Sequence, residues 1–235
     1  MNPGNPPPAT STDSDLVLNP RDSGFHRLDL AAWFGNDHPV LLEIGSGKGR
    51  FLISTAMERP DVNLIGVEKS LHYHRLIHER VRKRHLTNIR LINHDAFLVL
   101  RDMIPDASIA ELHIYFPDPW PRKREQKRRI IRPEVLQEIR RVLVDGGSAI
   151  YVTDHEAYFE AAAPLIEAAF PAQRRIPGPD DLPRRGTPDL RGEVREAGWR
   201  LTIPGATCVP LTVELLSPES GRPPNRRRRE GARSQ

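Results

Sequence analysis

Short apolar runs alternate with amphipathic stretches through the middle of the chain. Runs of four to eight mostly apolar residues predict buried strands at 40–44, 63–68, 89–93, 112–116, 149–152 and 209–216. Helical spacing predicts helices over 50–58 and 71–85, and another that Pro133 opens and Gly146-Gly147 ends. Thr153 and Glu156 have the spacing of a capping box for a further helix. The chain is therefore predicted to be built from alternating strands and helices.

This alternation predicts an α/β fold of the Rossmann-like kind. Strand-helix-strand units are right-handed and give a mostly parallel central sheet with helices on both faces. Ligands bind such sheets at the carboxyl ends of the strands, near the point where strand order reverses. The candidate site residues are therefore those that end strands, namely 43–49, Glu68, Asp95, Asp118 and Asp154.

The glycines after the first of these strands narrow the choice of ligand. A dinucleotide fingerprint needs a third glycine where Arg50 stands, and no Gly-Lys-Ser/Thr sequence closes a phosphate loop. The spacing Glu43-x-Gly45-x-Gly47-x-Gly49 resembles instead the first motif of class I S-adenosylmethionine-dependent methyltransferases, whose cofactor carries no phosphate. This resemblance implies a glycine floor under S-adenosyl-L-methionine.

Acidic residues end the next strands as well. Glu68 is placed to accept hydrogen bonds from both ribose hydroxyls, and Asp95 is placed to reach the adenine amino group. Each acid taken alone fits a helix cap or a solvated turn equally well. Four strand-ending acids around a glycine loop, with Asp118 as the fourth, favour a cofactor site.

Charge is local rather than global. The formal net charge is +4, and the C-terminal 19 residues hold six arginines and two glutamates. The segment 122–129 holds six basic residues and one acid, directly after Asp118 and Trp120. A carboxylate, an indole and a cationic strip suit a purine base on its phosphate backbone, so RNA is the predicted partner. The alternative is a solvated basic helix start with Trp120 in the core, and we interpret a second basic face at 75–84 as solvated.

Composition sets the remaining expectations. Proline-rich or arginine-rich ends predict disordered tails at 1–25 and 217–235 around one domain at 26–216. The single cysteine, Cys208, excludes an intrachain disulfide and indicates a reducing compartment, so the cytoplasm is predicted, with no membrane segment and no signal peptide. His74 and His78 lie four residues apart, but no third ligand completes a metal site, so no metal is expected.

Five sequence blocks together resemble the bacterial tRNA (guanine-N7)-methyltransferases, with dense similarity over about residues 40 to 160. The blocks are 42–49 (LEIGSGKG), 66–68 (GVE), 93–96 (NHDA), 116–129 (FPDPWPRKREQKRR) and 153–158 (TDHEAY). The resemblance implies methyl transfer from S-adenosyl-L-methionine to N7 of the variable-loop guanine, position 46, of tRNA. The sequence leaves open whether the chain is a monomer or a homodimer, and which tRNAs it modifies.

The resemblance also assigns roles to individual residues. It implies cofactor contacts from Glu43, Gly45, Gly47, Glu68, Asp95 and Asp118, and a catalytic role for Asp118. It implies substrate contacts from Arg122, Asp154 and Thr187. It also implies RNA contacts from Trp120, Lys123, Arg124, Lys127, Arg128 and Arg129. The late substrate segment of the family departs here, because 187–190 keeps the threonine and lacks the aromatic residue and the glutamate. Two alternatives stay open: a methyltransferase acting on another RNA, and a non-catalytic relative that binds cofactor and RNA.

Overall fold

The computed structural model describes residues 16–20, 24–170, 174–175 and 197–202. The strands are β1 (Val17–Leu18), β2 (Val40–Ile44), β3 (Asn63–Val67), β4 (Ile89–Ile92), β5 (Ile109–Tyr115), β6 (Leu143–Thr153), β7 (Arg174–Arg175) and β8 (Ala197–Thr202). The helices are α1 (Leu30–Phe34), α2 (Arg50–Glu58), α3 (Leu71–Lys83), α4 (Ala96–Asp102), α5 (Pro133–Val142) and α6 (Glu156–Ala169), with a 3₁₀ helix at Lys123–Arg128. No helix among these residues is long and apolar enough to cross a bilayer.

The strands form one sheet in the order β1-β4-β3-β2-β5-β6-β8-β7. The pairs from β1 through β6 are all parallel, whereas β8 runs antiparallel to both β6 and β7. Helices cover both faces: α2 and α3 pack on the face that carries Leu41 and Leu64, and α1, α4, α5 and α6 pack on the other. The predicted mostly parallel α/β sheet is confirmed.

The predicted bounds hold where the signal is local. The strand at 40–44 and the helix at 50–58 have the predicted bounds, and Pro133 is the first residue of α5. The prediction that Gly146-Gly147 ends this helix is wrong, because α5 ends at Val142 and both glycines lie inside β6. There the pairing with β5 shifts register, and a Cβ on Gly147 would lie 2.9 Å from the carbonyl oxygen of Val144. The glycines therefore serve an irregularity of the strand.

The domain also begins earlier than predicted. Val17 and Leu18 pair with Leu91 and Ile92 of β4, so part of the segment assigned to an N-terminal tail belongs to the sheet. Strands β7 and β8 lie in a proline-rich stretch for which no strand was predicted. The predicted strand at 209–216, the tail at 217–235, Thr187 and Cys208 lie outside the described residues.

Candidate active site

The carboxyl ends of five parallel strands meet at one edge of the sheet, in the order β4, β3, β2, β5, β6. The chain proceeds from β2 to β4 in one direction and from β5 to β6 in the other, so strand order reverses between β2 and β5. Glu43 lies on β2, and Asp118 follows β5 by three residues. The predicted acids therefore flank the switch point, where folds of this kind bind ligands.

Glu43 is a buried carboxyl group without a full set of partners. Its side chain is 4% exposed, and its Oε2 atom has no hydrogen-bond partner. Burial raises the pKa of Glu43 to about 8, the charge of Glu68 adds to the increase, and a hydrogen bond from Ser46 opposes it. An unpaired buried carboxyl is costly, so a ligand that donates a hydrogen bond or brings a positive charge would stabilise it.

The glycine loop keeps the space above β2 open. Gly45 and Gly47 have φ values of +74° and +51°, which only glycine adopts without strain. A Cβ on Gly45 would meet nothing within 4 Å, so the space beside it is free. A Cβ on Gly49 would lie 2.8 Å from Cγ1 of Ile77, so this glycine allows α3 to pack closely against the start of α2.

Glu68 joins the glycine loop to the end of β3. Its Oε2 accepts a hydrogen bond from the Gly47 amide at 2.8 Å, and its Oε1 accepts one from the Ser70 amide at 2.7 Å. The side chain is 8% exposed. Each carboxylate oxygen has a second lone pair, so hydroxyl donors can still bind. The position of Glu68 fits its predicted ribose contact and gives it a second, structural role.

Asp95 combines the two interpretations that the sequence left open. Its Oδ1 caps α4 by accepting from the Phe97 amide at 3.1 Å, and its Oδ2 accepts from Lys69 Nζ at 3.0 Å. Burial alone would raise the pKa of Asp95, but the hydrogen bond and charge of Lys69, with the helix amides, lower it. Sequence reasoning missed Lys69, whose signal is a basic residue directly after the strand-ending Glu68.

Two strained residues bracket Asp118. Phe116 and Trp120 have φ values of +48° and +42°, a left-handed conformation that costs a non-glycine residue roughly 1–2 kcal/mol. The Phe116 amide donates to the carbonyl oxygen of Val152 at 2.8 Å, which holds the turn to β6. Asp118 is exposed at its centre. Backbone strain that the surroundings maintain is typical of functional sites.

The basic segment after this turn is mostly exposed. The exposed basic side chains are Arg122, Lys123, Arg124, Lys127 and Arg128. The Arg128 guanidinium lies 4.8 Å from the centre of the Trp120 ring, and Arg122 Nη1 lies 3.9 Å from Glu125 Oε1. Trp120 is partly exposed rather than part of the core. This arrangement presents a stacked indole and positive charge beside Asp118.

Arg129 differs from its prediction as an RNA contact. Its side chain is buried, its Nε donates to the carbonyl oxygen of Pro119 at 2.8 Å, and its guanidinium lies 4.5 Å from the ring centre of Tyr158. The Tyr158 hydroxyl in turn accepts from the Ile131 amide at 3.1 Å. Arg129 is therefore directed inward and anchors the turn, because its Nε binds Pro119 and its guanidinium packs on Tyr158.

Asp154 lies in a neighbouring position at the same edge. It is exposed and directly follows β6, the strand beside β5. The predicted capping box is wrong, because Thr153 is the last residue of β6 and His155 is the N-cap of α6, accepting from the Tyr158 amide at 3.2 Å. Thr153 Oγ1 instead accepts from the His155 amide, which helps hold Asp154 at the surface.

Helix α3 does not extend the exposed basic segment as a whole. It begins at the carboxyl edge after β3 and runs toward the opposite edge, so its basic residues 82–84 lie away from Asp118. His74 of this helix is 4% exposed, and burial lowers its pKa to about 4. Within the described ranges, no group of three or more His, Cys, Asp or Glu side chains is arranged to hold a metal ion.

Two solved methyltransferases have a fold similar to that of this chain. The aminoglycoside resistance methyltransferase NpmB1 superimposes with a TM-score of 0.53 at 17% identity, covering 74% of this chain and 92% of that one. The antibiotic-resistance methyltransferase Kmr gives a TM-score of 0.51 at 19% identity, covering 76% of this chain and 93% of that one. The chain therefore has the Rossmann-like fold of class I methyltransferases.

Sequence relatives narrow this class to a family. A family described as "Putative methyltransferase" matches residues 37–184. Proteins named tRNA (guanine-N(7)-)-methyltransferase are similar: that of Aeromonas hydrophila is 42% identical, covering 60% of this chain and 60% of the relative, and that of Pseudoalteromonas translucida is 38% identical, covering 70% and 67%. The chain belongs to the tRNA (guanine-N7)-methyltransferase family, and it spans about three fifths of the length of the curated relatives it matches.

Proposed function

We propose that the protein transfers a methyl group from S-adenosyl-L-methionine to N7 of guanine 46 in the variable loop of tRNA. The observation that carries the proposal is the strained turn at 116–120, which presents Asp118, Trp120 and a basic segment beside the glycine loop. The names of the curated relatives support methylation of guanine N7 in tRNA. We place this activity in the cytoplasm.

The residues of the site fit the proposed cofactor. The partner-free oxygen of Glu43, the open space beside Gly45 and the free lone pairs of Glu68 suit a ligand with an amino group and ribose hydroxyls. Asp95 offers acceptors at the adjacent strand end. S-adenosyl-L-methionine, when bound, supplies an electrophilic methyl group on a positively charged sulfur. Glu43, Gly45, Gly47, Glu68, Asp95 and Asp118 are the residues that would hold it.

The proposed reaction makes a limited chemical demand on the protein. Guanine N7 is an acceptor with a free lone pair, so no proton must be removed before it attacks. Asp118 then works by position and charge: its carboxylate orients the purine and stabilises the positive charge that develops on the ring. Trp120 offers a stacking surface for the base, and the exposed basic residues meet the phosphate backbone.

The substrate contacts proposed from the family resemblance are Arg122, Asp154 and Thr187. Arg122 follows the turn after β5, Asp154 directly follows β6, and both are exposed, which supports their assignment. Lys123, Arg124, Lys127 and Arg128 remain proposed RNA contacts, whereas Arg129 is reassigned to the turn.

Transfer of labelled methyl from S-adenosyl-L-methionine to unmodified tRNA tests the proposal, with nucleoside analysis of the product. We expect label in 7-methylguanosine. Asp118→Asn preserves the shape of the side chain and should lower the turnover rate about 100-fold while cofactor binding persists. Asp145→Asn, an exposed change near the opposite end of β6, is the matched control and should leave turnover unchanged.

Two other outcomes would redirect the proposal. Label in a different nucleoside would indicate a methyltransferase of another RNA or another atom. Bound tRNA and bound cofactor without any transfer would indicate a non-catalytic relative. An unchanged turnover rate in Asp118→Asn would show that the electrostatic role assigned to this carboxylate is wrong.

A further inference from the structure

A line of polar side chains runs along one face of β5 toward the proposed catalytic turn. Glu111, His113 and Tyr115 alternate along the strand, so all three project to the face that α2 covers. Arg59, just after α2, donates to Glu111 Oε1 at 2.8 Å. Glu111 Oε2 lies 3.4 Å from His113 Nε2, and His113 Nδ1 lies 3.3 Å from the Tyr115 hydroxyl. This line of polar side chains connects the surface to the last residue of β5.

His113 is the buried residue at the centre of this line of polar side chains. Its side chain is 2% exposed, and its ring packs against Phe51, with the two ring centres 4.9 Å apart. Phe51 also makes an edge-to-face contact with Tyr115, with ring centres 4.8 Å apart. His113 is paired with Glu43 across β2 and β5, so both lie on the same face beside the switch point. The line of polar side chains therefore borders the proposed cofactor pocket.

The Glu111 carboxylate faces the Nε2 side of the His113 ring. Burial alone would raise the pKa of Glu111, but the neighbouring His113 and Arg59 outweigh the effect of burial and lower the pKa to about 2. A carboxylate facing Nε2 favours a proton on that nitrogen, which leaves the lone pair of Nδ1 to accept from Tyr115. A carboxylate that selects one histidine tautomer and ring orientation is a known way to position a group near a reaction centre.

We propose that His113, oriented by Glu111, is a positioning residue for the methyl-transfer reaction: it fixes Tyr115 and, through it, the strained turn that carries Asp118. Tyr115 is the last residue of β5, and the left-handed Phe116 follows it directly. A left-handed non-glycine residue persists only where its neighbours hold it. The hydrogen bond to Val152 holds Phe116 from the β6 side, and the anchored Tyr115 ring holds the strand end on the α2 side.

This inference rests on the proposed methyl transfer, so its test has a kinetic and a structural readout. His113→Phe keeps the ring and its packing on Phe51 but removes both nitrogens. Tyr115→Phe removes only the hydroxyl. His113→Gln retains one donor and one acceptor and serves as the conservative variant. His74→Phe is the matched control, because His74 is also buried but lies on α3.

The kinetic readout separates positioning from simple support of the fold. We expect His113→Phe and Tyr115→Phe each to lower kcat about ten-fold, with KM for S-adenosyl-L-methionine changed less than about two-fold. The double variant should be no worse than either single one, because both remove the same contact. His113→Gln should restore most of kcat, and His74→Phe should leave it unchanged.

Amide hydrogen exchange over 116–120 gives the structural readout, independent of catalysis. Exchange should be faster in His113→Phe and Tyr115→Phe than in the wild type, and unchanged in His74→Phe. A wild-type protein that transfers no methyl group would overturn the proposed function, while exchange would still show whether His113 holds the turn. Unchanged exchange in His113→Phe, or additive losses of kcat in the double variant, would overturn the role of His113.

Discussion

At the scale of single residues, Glu43 opposes folding at neutral pH. Its pKa is raised from the ordinary value to about 8 in the folded protein, so the folded state binds a proton more tightly than the unfolded state between these values. With respect to Glu43, the free energy of unfolding is therefore highest below the pKa that this group has in the unfolded state. It falls as pH rises and levels off above about pH 8. A buried carboxyl of this kind is retained at a cost in stability, which is typical of a functional site.

Glu43→Gln should separate stability from ligand binding. Above pH 7 the variant should be more stable than the wild type by a few kcal/mol at most, because an amide has no charge to bury, and the difference should shrink toward pH 4. Binding of S-adenosyl-L-methionine should weaken at the same time. Chemical denaturation at several pH values and calorimetric titration measure the two effects. A constant stability difference across pH would contradict the raised pKa.

Gly66 shows a second constraint at residue scale. It pairs with Glu43 across β2 and β3, and a Cβ there would lie 2.6 Å from Leu52 Cδ2 and 3.0 Å from Ser46 Oγ. Gly66→Ala should therefore destabilise the protein by about 1–3 kcal/mol through overpacking. Gly45→Ala, where the added Cβ meets nothing, should cost only the backbone strain of its positive φ, about 1 kcal/mol. Thermal melts compare the two, and equal losses would contradict the packing argument.

At the scale of elements, prediction succeeded where the signal is local. The apolar run of β2 and the glycines after it determine both β2 and the start of α2 without reference to distant residues. Strands β1 and β8 were missed because their formation depends on pairing with β4 and β6, which no local pattern encodes. The same limit explains why β6 was predicted too short, since its first residues pair with β5 through a shifted register.

The candidate site was predictable in position and only partly in contacts. A parallel sheet brings strand ends to one edge, so Glu43, Glu68 and Asp95 could be placed together from sequence alone. Whether a basic residue points outward depends on packing that sequence does not show. Arg129 differs from its neighbours for this reason, because Tyr158 of α6 provides its inward surface.

The two kinds of arginine in the basic segment predict different phenotypes. Arg129→Met should lower the melting temperature and turnover together, because it removes the hydrogen bond to Pro119 and the contact with Tyr158. Arg124→Met should leave the melting temperature unchanged, because Arg124 is exposed, and should weaken tRNA binding with a smaller salt slope. Melting curves and binding at several salt concentrations measure both. If the Arg129→Met variant melted at the same temperature as the wild type, the assignment of Arg129 to the turn would be wrong, and the predicted RNA contact would be favoured.

At the scale of the whole molecule, acidic and basic residues occupy different parts of the proposed binding site. The acids that would hold the cofactor lie at the carboxyl ends of the strands. The exposed basic residues that would meet RNA follow Asp118 at the same edge of the sheet. The formal net charge of +4 is no larger than the contribution of residues 217–235. Long-range attraction of the proposed tRNA substrate would therefore depend strongly on residues 217–235, whereas orientation of the base would depend on the turn at 116–120.

Deleting residues 217–235 tests this division. If its six arginines meet phosphates, the truncated chain should bind tRNA more weakly, and the slope of log K against log salt concentration should fall by about 3 to 5 in magnitude. Its kcat at saturating tRNA should match that of the full chain, because Asp118 and Trp120 are untouched. Replacing the four arginines 226–229 by glutamine is the matched control for loss of chain length. An unchanged slope in both variants would show that residues 217–235 make no phosphate contacts, and the basic segment after Trp120 would then be the main candidate for the salt dependence.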